Sequence, residues 1–168
     1  MLGDPGGSGG ALDREYEAFR HRAAIVAGGI GQTPFLALIR EALGQRRYGQ
    51  PARQPARGPL KITMCYGVRS AEYLALVSDF QQLKIDFRIA TEDGSAGRRG
   101  RVTEILSELL GAQDRPDRVY TCGPEPMMEA VATLAAQRGV ACDVSLETPM
   151  ACGIGICFRA FVIILFHC

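Results

Sequence analysis

Short apolar runs alternate along this chain with stretches whose apolar residues recur at helical spacing. Runs of this length suit buried strands, and the stretches between them suit helices that pack on a sheet. The predicted strands are Ala23–Ala27, Leu60–Tyr66, Ile85–Ala90, Arg118–Thr121 and Asp143–Glu147. The predicted helices are one that begins at Pro34, followed by Ala71–Leu83, Val102–Leu110 and Pro124–Arg138. This alternation predicts an α/β fold with a five-stranded parallel sheet and helices on both faces.

Parallel strands joined by right-handed crossovers all end at the same edge of their sheet. The loops that follow the strands therefore meet at one edge, where ligands bind in open α/β folds. Two helix caps are expected there, Thr33 before Pro34 and Ser70 before the second helix. The predicted apolar stripe of that second helix consists of Tyr73, Leu74, Val77 and Phe80.

The chain is expected to hold one α/β domain with a short segment on either side. Residues 1–22 form a flexible lead-in, residues 23–148 form the domain, and residues 149–168 carry a cysteine-containing loop. Within the domain, Gln45–Pro59 has three prolines, four arginines and no acid. This composition predicts a solvated loop, and nucleic-acid binding is its minor alternative.

Composition excludes several broad classes of function. A length of 168 residues suits one domain, and a net charge of +1 does not favour a nucleic-acid binder. The longest apolar run, Ala160–Phe166, is too short for a bilayer, which requires roughly 20 residues. We find no signal peptide and therefore expect a cytoplasmic protein with no membrane contact. In the cytoplasm the six cysteines are expected to be thiols or metal ligands.

The glycine loop, Gly28–Pro34, joins the first strand to the first helix. Gly28, Gly29 and Gly31 let a backbone approach a pyrophosphate closely, and a helix N-terminus offers free N–H groups. The full dinucleotide fingerprint is absent, because Pro34 stands where its last glycine belongs. A plain tight turn is the alternative, and the position after the first strand favours the nucleotide site.

Two acids follow the third predicted strand. Glu92 and Asp93 are suited to accept hydrogen bonds from a ribose diol, and their charge would repel a 2′-phosphate. This arrangement favours NAD over NADP. A charged turn with no ligand is an equally good interpretation of the same residues.

Cysteines stand at two further places where chemistry is expected. Cys122 precedes Gly123 and Pro124 at the end of the fourth strand, either beside a bound ligand or as a small buried residue. Cys152 and Cys157 have the C-x₄-C spacing that begins a plant-type [2Fe–2S] site. The third ligand position is Ala160, so the residues alone do not favour a complete cluster, and zinc has no better spacing.

Taken together, these loops resemble the electron-transfer subunits of dihydroorotate dehydrogenase type B, in the ferredoxin–NADP reductase superfamily. The resemblance runs from about Ala23 to Phe158 and rests on five motifs in order. They are Gly28–Pro34, Tyr66–Arg69, Asp93–Gly97 with Gly100, Cys122–Pro124 and Ser145–Gly155. Each motif is modest alone, and the order and spacing make the set specific.

The resemblance implies a path for electrons between NAD and an FMN-containing catalytic subunit, through FAD and a [2Fe–2S] cluster, in pyrimidine biosynthesis. It places the pyrophosphate at Gly28–Pro34, with Gly123 and Pro124 beside the cofactor and Glu92 with Asp93 near the adenosine ribose. It places Cys122 close to the nicotinamide, where hydride passes to or from FAD. Cys152 and Cys157 would be the first two cluster ligands.

The sequence departs from the family pattern at both ends. From the resemblance we expect that the FAD barrel, which precedes this domain in the family, is missing here and that residues 1–22 are a remnant of its tail. The resemblance stops after Phe158, which suggests a fragment or a frame-shifted product. Two other functions are alternatives to the electron-transfer subunit. One is another FAD- and cluster-containing reductase of the superfamily, and the other is a nucleotide-binding domain without redox activity. The apolar run Ala160–Phe166 is expected to promote aggregation unless it packs as a strand.

Overall fold

The structure, a computed structural model, describes residues 22–47, residues 61–146 and the strand at 162–166. Three predictions concern residues outside these ranges: the lead-in at residues 1–22, most of the solvated loop Gln45–Pro59, and the loop that contains Cys152 and Cys157. The strands are β1 Arg22–Gly28, β2 Lys61–Val68, β3 Asp86–Thr91, β4 Arg98–Arg99, β5 Arg118–Cys122, β6 Ala141–Leu146 and β7 Val162–Phe166. The α-helices are α1 Thr33–Ala42, α2 Val77–Gln81, α3 Val102–Gly111 and α4 Glu125–Gln137. Two short 3₁₀ helices lie at Gly29–Gln32 and Ala71–Tyr73.

The described strands form one sheet in the order β4-β3-β2-β1-β5-β6-β7. The parallel α/β class is confirmed, but the predicted number of five strands is wrong. The first six strands of this order pair in parallel, and β7 pairs antiparallel with β6. The strand that the pattern missed inside the domain is β4, whose two residues pair with Ala90 and Thr91. This strand consists of two arginines between glycines and contains no apolar residue, so the hydrophobic pattern gave no signal for it.

The apolar tail forms the seventh strand. Val162 pairs with Leu146 and Phe166 pairs with Cys142, so β7 runs along the outer edge of β6. Backbone N–H and C=O groups of an edge strand are otherwise open to pairing with another chain. The tail therefore occupies an edge that the five-stranded prediction left exposed.

Two apolar clusters, one on each face of the sheet, form the core. Alternate residues of β1 belong to different clusters: Ala24 and Val26 face α3 and α4, whereas Ile25 and Ala27 face α1 and α2. A strand that is buried on both faces is uniformly apolar, which explains why β1 was recognisable from its sequence. The prediction of helices on both faces is confirmed.

The helix expected over Ala71–Leu83 is instead a 3₁₀ turn and the short α2. Leu76 lies between them with a φ of +58°, which ends any continuous helix. Of the predicted stripe, Phe80 is buried while Tyr73 is 60% exposed. The buried Tyr66 holds the turn, since its hydroxyl donates to the carbonyl of Tyr73 and accepts from the N–H of Ala75, each at 3.4 Å. A side-chain contact of this kind leaves no periodic signal in the sequence.

Both predicted caps differ from the structure. Thr33 is the first residue of α1 rather than its cap, because the 3₁₀ helix Gly29–Gln32 leads directly into α1. The Thr33 hydroxyl donates to the carbonyl of Ile30 instead. Ser70 occupies the N-cap position of the 3₁₀ turn as predicted, but its hydroxyl donates to the Glu72 carboxylate at 3.0 Å and makes no capping bond to a backbone N–H.

Candidate functional site

A crevice of about 830 Å³ opens at the edge where the parallel strands end. The chain runs outward from β1 to β4 and then returns to add β5 on the other side of β1, so the strand order reverses beside β1. Open α/β sheets bind ligands at such a reversal. Residues from five loops line the crevice, among them Gly28, Gly29, Arg69, Glu92, Arg101 and Pro124.

The floor of the crevice depends on direct contact between two loops. A Cβ atom on Gly31 would lie 2.3 Å from the carbonyl oxygen of Cys122 and 2.7 Å from the nitrogen of Gly123. A Cβ atom on Gly123 would lie 2.9 Å from the nitrogen of Gly28. Glycine is required here so that the backbone after β1 can touch the backbone after β5. Gly31 therefore brings two loops together and is not among the residues that line the crevice.

The upper part of the glycine loop is open to a ligand. Within the described part of the chain, a Cβ atom on Gly29 would meet nothing within 4 Å, and Ile30 is 88% exposed. No side chain of the described residues caps the N-terminus of the 3₁₀ helix that begins here. Uncapped N–H groups at a helix start favour an anion.

The two acids after β3 have different surroundings. Glu92 lines the crevice, and Asp93 is not among the lining residues. The Asp93 carboxylate accepts hydrogen bonds from the N–H of Ser95 at 2.9 Å and from the Ser95 hydroxyl at 2.6 Å. These bonds stabilise the ionised form, so they hold the pKa of Asp93 below its usual value.

Three polar residues of the crevice were not selected from the sequence as ligand-binding residues. Arg69 lies directly after β2, and that position was a usable signal in the sequence. Arg101 precedes α3, and only the folded chain brings it to the same crevice as Glu92. Gln32 is 3% exposed, and its Oε1 has no hydrogen-bond partner among the described residues.

This set of groups fits a charged dinucleotide. The volume lies within the usual range for small-molecule sites, which is roughly 300–1,000 Å³. Arg69 and Arg101 suit phosphate groups, while Glu92 suits a hydroxyl donor. An unpartnered polar atom beside the cavity, on Gln32, costs free energy until a ligand or water contacts it.

The remaining predicted residues of the site lie beside the crevice or outside the described chain. Cys122 ends β5, is 7% exposed and packs in the core cluster that contains Phe35 and Tyr66. Thr33 and Pro34 begin α1. Neither of them lines the crevice, and Gly123 does not line it either. The predicted cluster ligands Cys152 and Cys157, together with Ala160, fall outside the residues that the structure describes.

Neither a metal site nor a membrane span is found in the described ranges. No group of three or more His, Cys, Asp or Glu side chains there is arranged to hold a metal ion. None of the helices in these ranges is both long and apolar enough to cross a membrane.

Relatives of the chain have a consistent name. A protein of Methanopyrus kandleri named as a probable dihydroorotate dehydrogenase B (NAD(+)), electron transfer subunit, is 36% identical over 88% of this chain and 51% of its own length. A protein of Thermococcus kodakarensis with the same name is 38% identical over 81% of this chain and 50% of its own length. These relatives confirm the resemblance stated from the sequence. The chain spans about half the length of the curated relatives it matches.

Solved structures agree on the fold. A chain of the NADH-dependent reduced ferredoxin-NADP oxidoreductase superposes with a TM-score of 0.62 at 28% identity, over 83% of this chain and 45% of that one. The ferredoxin-NADP+ reductase of Plasmodium falciparum has a TM-score of 0.52 at 14% identity, over 76% of this chain and 55% of that one, and shows the fold alone.

The family model of the oxidoreductase NAD-binding domain matches residues 25–133. This range extends from the middle of β1 into α4 and includes every loop that forms the crevice. With more than half of the sequence matched, this chain belongs to the oxidoreductase NAD-binding domain family.

Proposed function

We propose that the crevice binds NAD(H), and that the protein is the electron-transfer subunit of an NAD-linked dihydroorotate dehydrogenase type B. The observation that carries this proposal is the crevice itself, which brings the motifs after β1, β2, β3 and β5 to one edge. The printed names of the relatives supply the reaction, because the nucleotide site alone does not specify the electron donor.

In this proposal each part of the crevice binds a different part of the nucleotide. Peptide N–H groups of Gly29 and Ile30, in the part of the glycine loop that lines the crevice, bind the pyrophosphate, and the guanidinium groups of Arg69 and Arg101 balance its charge. Glu92 accepts hydrogen bonds from the adenosine ribose and opposes a 2′-phosphate by charge repulsion. The preference for NAD over NADP follows from that single carboxylate more than from Asp93.

The family resemblance implies that Cys122 stands at the nicotinamide end, and we propose that position here, where β5 ends beside the glycine loop. Its carbonyl oxygen faces Gly31, so the strand end and the loop are positioned as one unit. NAD supplies a hydride acceptor or donor when bound. Cys122 does not line the crevice, so its proposed role is to support, from the core, the end of β5 beside the reacting ring.

Other parts of the proposal rest on the family. FAD, a [2Fe–2S] cluster held in part by Cys152 and Cys157, and an FMN-containing catalytic partner would complete the path of electrons in pyrimidine biosynthesis. The cytoplasm is the proposed location. Since the chain spans about half of its relatives, FAD and the cluster would be held largely by segments outside the described residues.

A second candidate is a different reductase of the superfamily that uses the same nucleotide domain. The similarity to the NADH-dependent reduced ferredoxin-NADP oxidoreductase favours it, at 28% identity over 83% of the chain. A nucleotide-binding domain without redox activity is the third candidate.

One reconstitution separates these candidates. The complete gene product, encoded by the locus together with its flanking sequence, is purified with the neighbouring dihydroorotate-oxidising subunit, and flavin and cluster absorbance are recorded. The proposed function requires dihydroorotate-dependent formation of NADH, and Cys122→Ser should slow it without weakening NADH binding. Reduction of ferredoxin but no reaction with dihydroorotate would support the second candidate. A colourless protein that binds NADH would support the third.

A further inference from the structure

The loop from Thr91 to Arg101 is fixed at three points. At its base, the buried Thr91 hydroxyl donates to the carbonyl of Ala96 at 2.7 Å and accepts from the N–H of Ala96 at 3.0 Å. Where it turns back, Gly97 has a φ of +62°, and a Cβ atom there would lie 2.3 Å from the carbonyl oxygen of Ile89. At its tip, Asp93 accepts both hydrogen bonds from Ser95. This loop therefore has one defined shape.

Ser95 also joins this loop to the segment after β2. Its hydroxyl oxygen accepts a hydrogen bond from the N–H of Ala71 at 2.7 Å, and the same hydroxyl donates a hydrogen bond to the Asp93 carboxylate. The backbone N–H groups of Glu92 and Asp93 donate to the carbonyls of Val68 and Arg69, each at 3.2 Å. The tip of the loop and the end of β2 are thus held together on both sides of Glu92.

We propose that Asp93 and Ser95 are positioning residues that hold Glu92 at the crevice, and that Glu92 alone of the two acids discriminates NADH from NADPH. This inference rests on the proposed nucleotide site. The Asp93 oxygen that receives the Ser95 bonds is occupied within the loop, and Asp93 does not line the crevice. Glu92 does line it, as does Arg69. The two adjacent acids therefore have separate roles.

Charge and geometry can be separated at Asp93. An asparagine there still offers a carbonyl oxygen to both Ser95 donors but carries no charge. A positioning role therefore survives Asp93→Asn and is lost in Asp93→Ala. A direct role in repelling a 2′-phosphate is lost in both variants, because both remove the charge.

The test measures dissociation constants of the chain for NADH and NADPH, and their ratio as the readout of discrimination. Glu92→Gln should lower the preference for NADH by about tenfold, since a charge-assisted contact is lost. Ser95→Ala should lower it several-fold, Ser95→Thr should restore it, and Asp93→Asn should restore what Asp93→Ala loses. In a Glu92→Gln background, Ser95→Ala should cause no further change, because it acts through Glu92.

Two further measurements make the test decisive. Amide hydrogen exchange at Ala71 should accelerate in Ser95→Ala, which reports the lost contact without any nucleotide. Asp117→Asn, which removes an exposed carboxylate at the opposite edge, is the control. Two results would overturn the positioning role alone. One is an Asp93→Asn variant that loses as much preference for NADH over NADPH as Glu92→Gln does, and the other is an unchanged ratio of the two dissociation constants in Ser95→Ala. A chain that binds neither nucleotide would overturn the proposed function and this assignment with it.

Discussion

Gly31 and Gly123 allow two backbone segments to touch where the crevice opens. The contacts involve peptide atoms on both sides, so no side-chain rearrangement can relieve an added Cβ atom at Gly31. Packing at this point sets the distance between the end of β1 and the end of β5. The nucleotide site therefore depends on a residue that need not contact the nucleotide.

Gly31→Ala should lower the free energy of unfolding by about 1–3 kcal/mol and weaken NADH binding at least tenfold. Gly44→Ala is the matched control, because a Cβ atom there meets nothing within 4 Å and only the φ of +69° is unfavourable. It should lose about 1 kcal/mol with no change in NADH affinity. Urea denaturation and calorimetric titration measure both quantities. Equal NADH affinities in the two variants would show that the loop contact does not shape the site.

Two buried thiols make the fold sensitive to alkali. Burial raises the pKa of Cys65 to about 12 and that of Cys142 to about 12, from an ordinary 9.0. Above the ordinary value the unfolded chain releases these protons while the folded chain retains them. Stability should therefore fall as the pH rises from 9 toward 12, by about 1.4 kcal/mol per pH unit for each thiol. In Cys65→Ala, the free energy of unfolding, measured by urea denaturation across this range, should fall less steeply with pH. An unchanged slope would contradict the raised pKa of Cys65.

Some residues of the site were predictable from the sequence and others were not. Glu92 and Gly28 follow strands that the apolar pattern identifies, so the common edge of a parallel sheet brings them together. The separation of Asp93 from the crevice depends on hydrogen bonds to Ser95, and these leave no periodic signal. Arg101 reaches the crevice only because α3 packs against the sheet, which is a tertiary effect.

At the scale of elements, the segment between β2 and β3 departs most from its prediction. Its apolar residues have helical spacing, but Leu76 adopts a left-handed conformation and the contacts of Tyr66 hold the preceding turn. Periodicity correctly identified five of the six parallel strands, all but β4, and the other three helices, because their burial repeats regularly. It failed here because one side chain from a neighbouring strand determines the local backbone.

Leu76→Gly tests the conformation of this segment. Glycine adopts the left-handed region without the cost of roughly 1–2 kcal/mol that leucine incurs, so stability should be unchanged or rise by up to about 1 kcal/mol. Ser78→Gly, inside α2, should instead lose about 0.5 kcal/mol. Thermal unfolding of both variants gives the comparison. A loss of about 1 kcal/mol in Leu76→Gly would indicate the continuous helix that the pattern predicted.

The C-terminal apolar run is the second element that the structure interprets differently from the sequence. As a solvated apolar run, Arg159–Cys168 would promote aggregation, and its deletion would improve solubility. As β7 it covers the edge of β6, so its deletion should expose unpaired backbone groups and lower solubility. Light scattering of the two proteins at equal concentration distinguishes these outcomes. Higher solubility after deletion would argue against the pairing of β7 with β6.

At the scale of the whole molecule, the sheet separates two chemically different edges. The edge at the carboxyl ends of the strands carries the crevice with Arg69, Glu92 and Arg101. The opposite edge carries exposed ion pairs, Arg22 with Asp117 and Lys61 with Asp114. Exposed pairs of this kind contribute little to stability. Nucleotide binding is therefore expected at the edge that carries the crevice, and not at the edge of these ion pairs.

Titration of the ¹⁵N-labelled chain with NADH, followed by amide chemical shifts, tests this claim most directly. We predict saturable shifts for the amides of Gly29, Arg69 and Glu92, with the amides of Lys61 and Asp114 unchanged. Absence of saturable shifts at millimolar NADH, or shifts centred on Lys61 and Asp114, would contradict the assignment of the crevice as the NAD site.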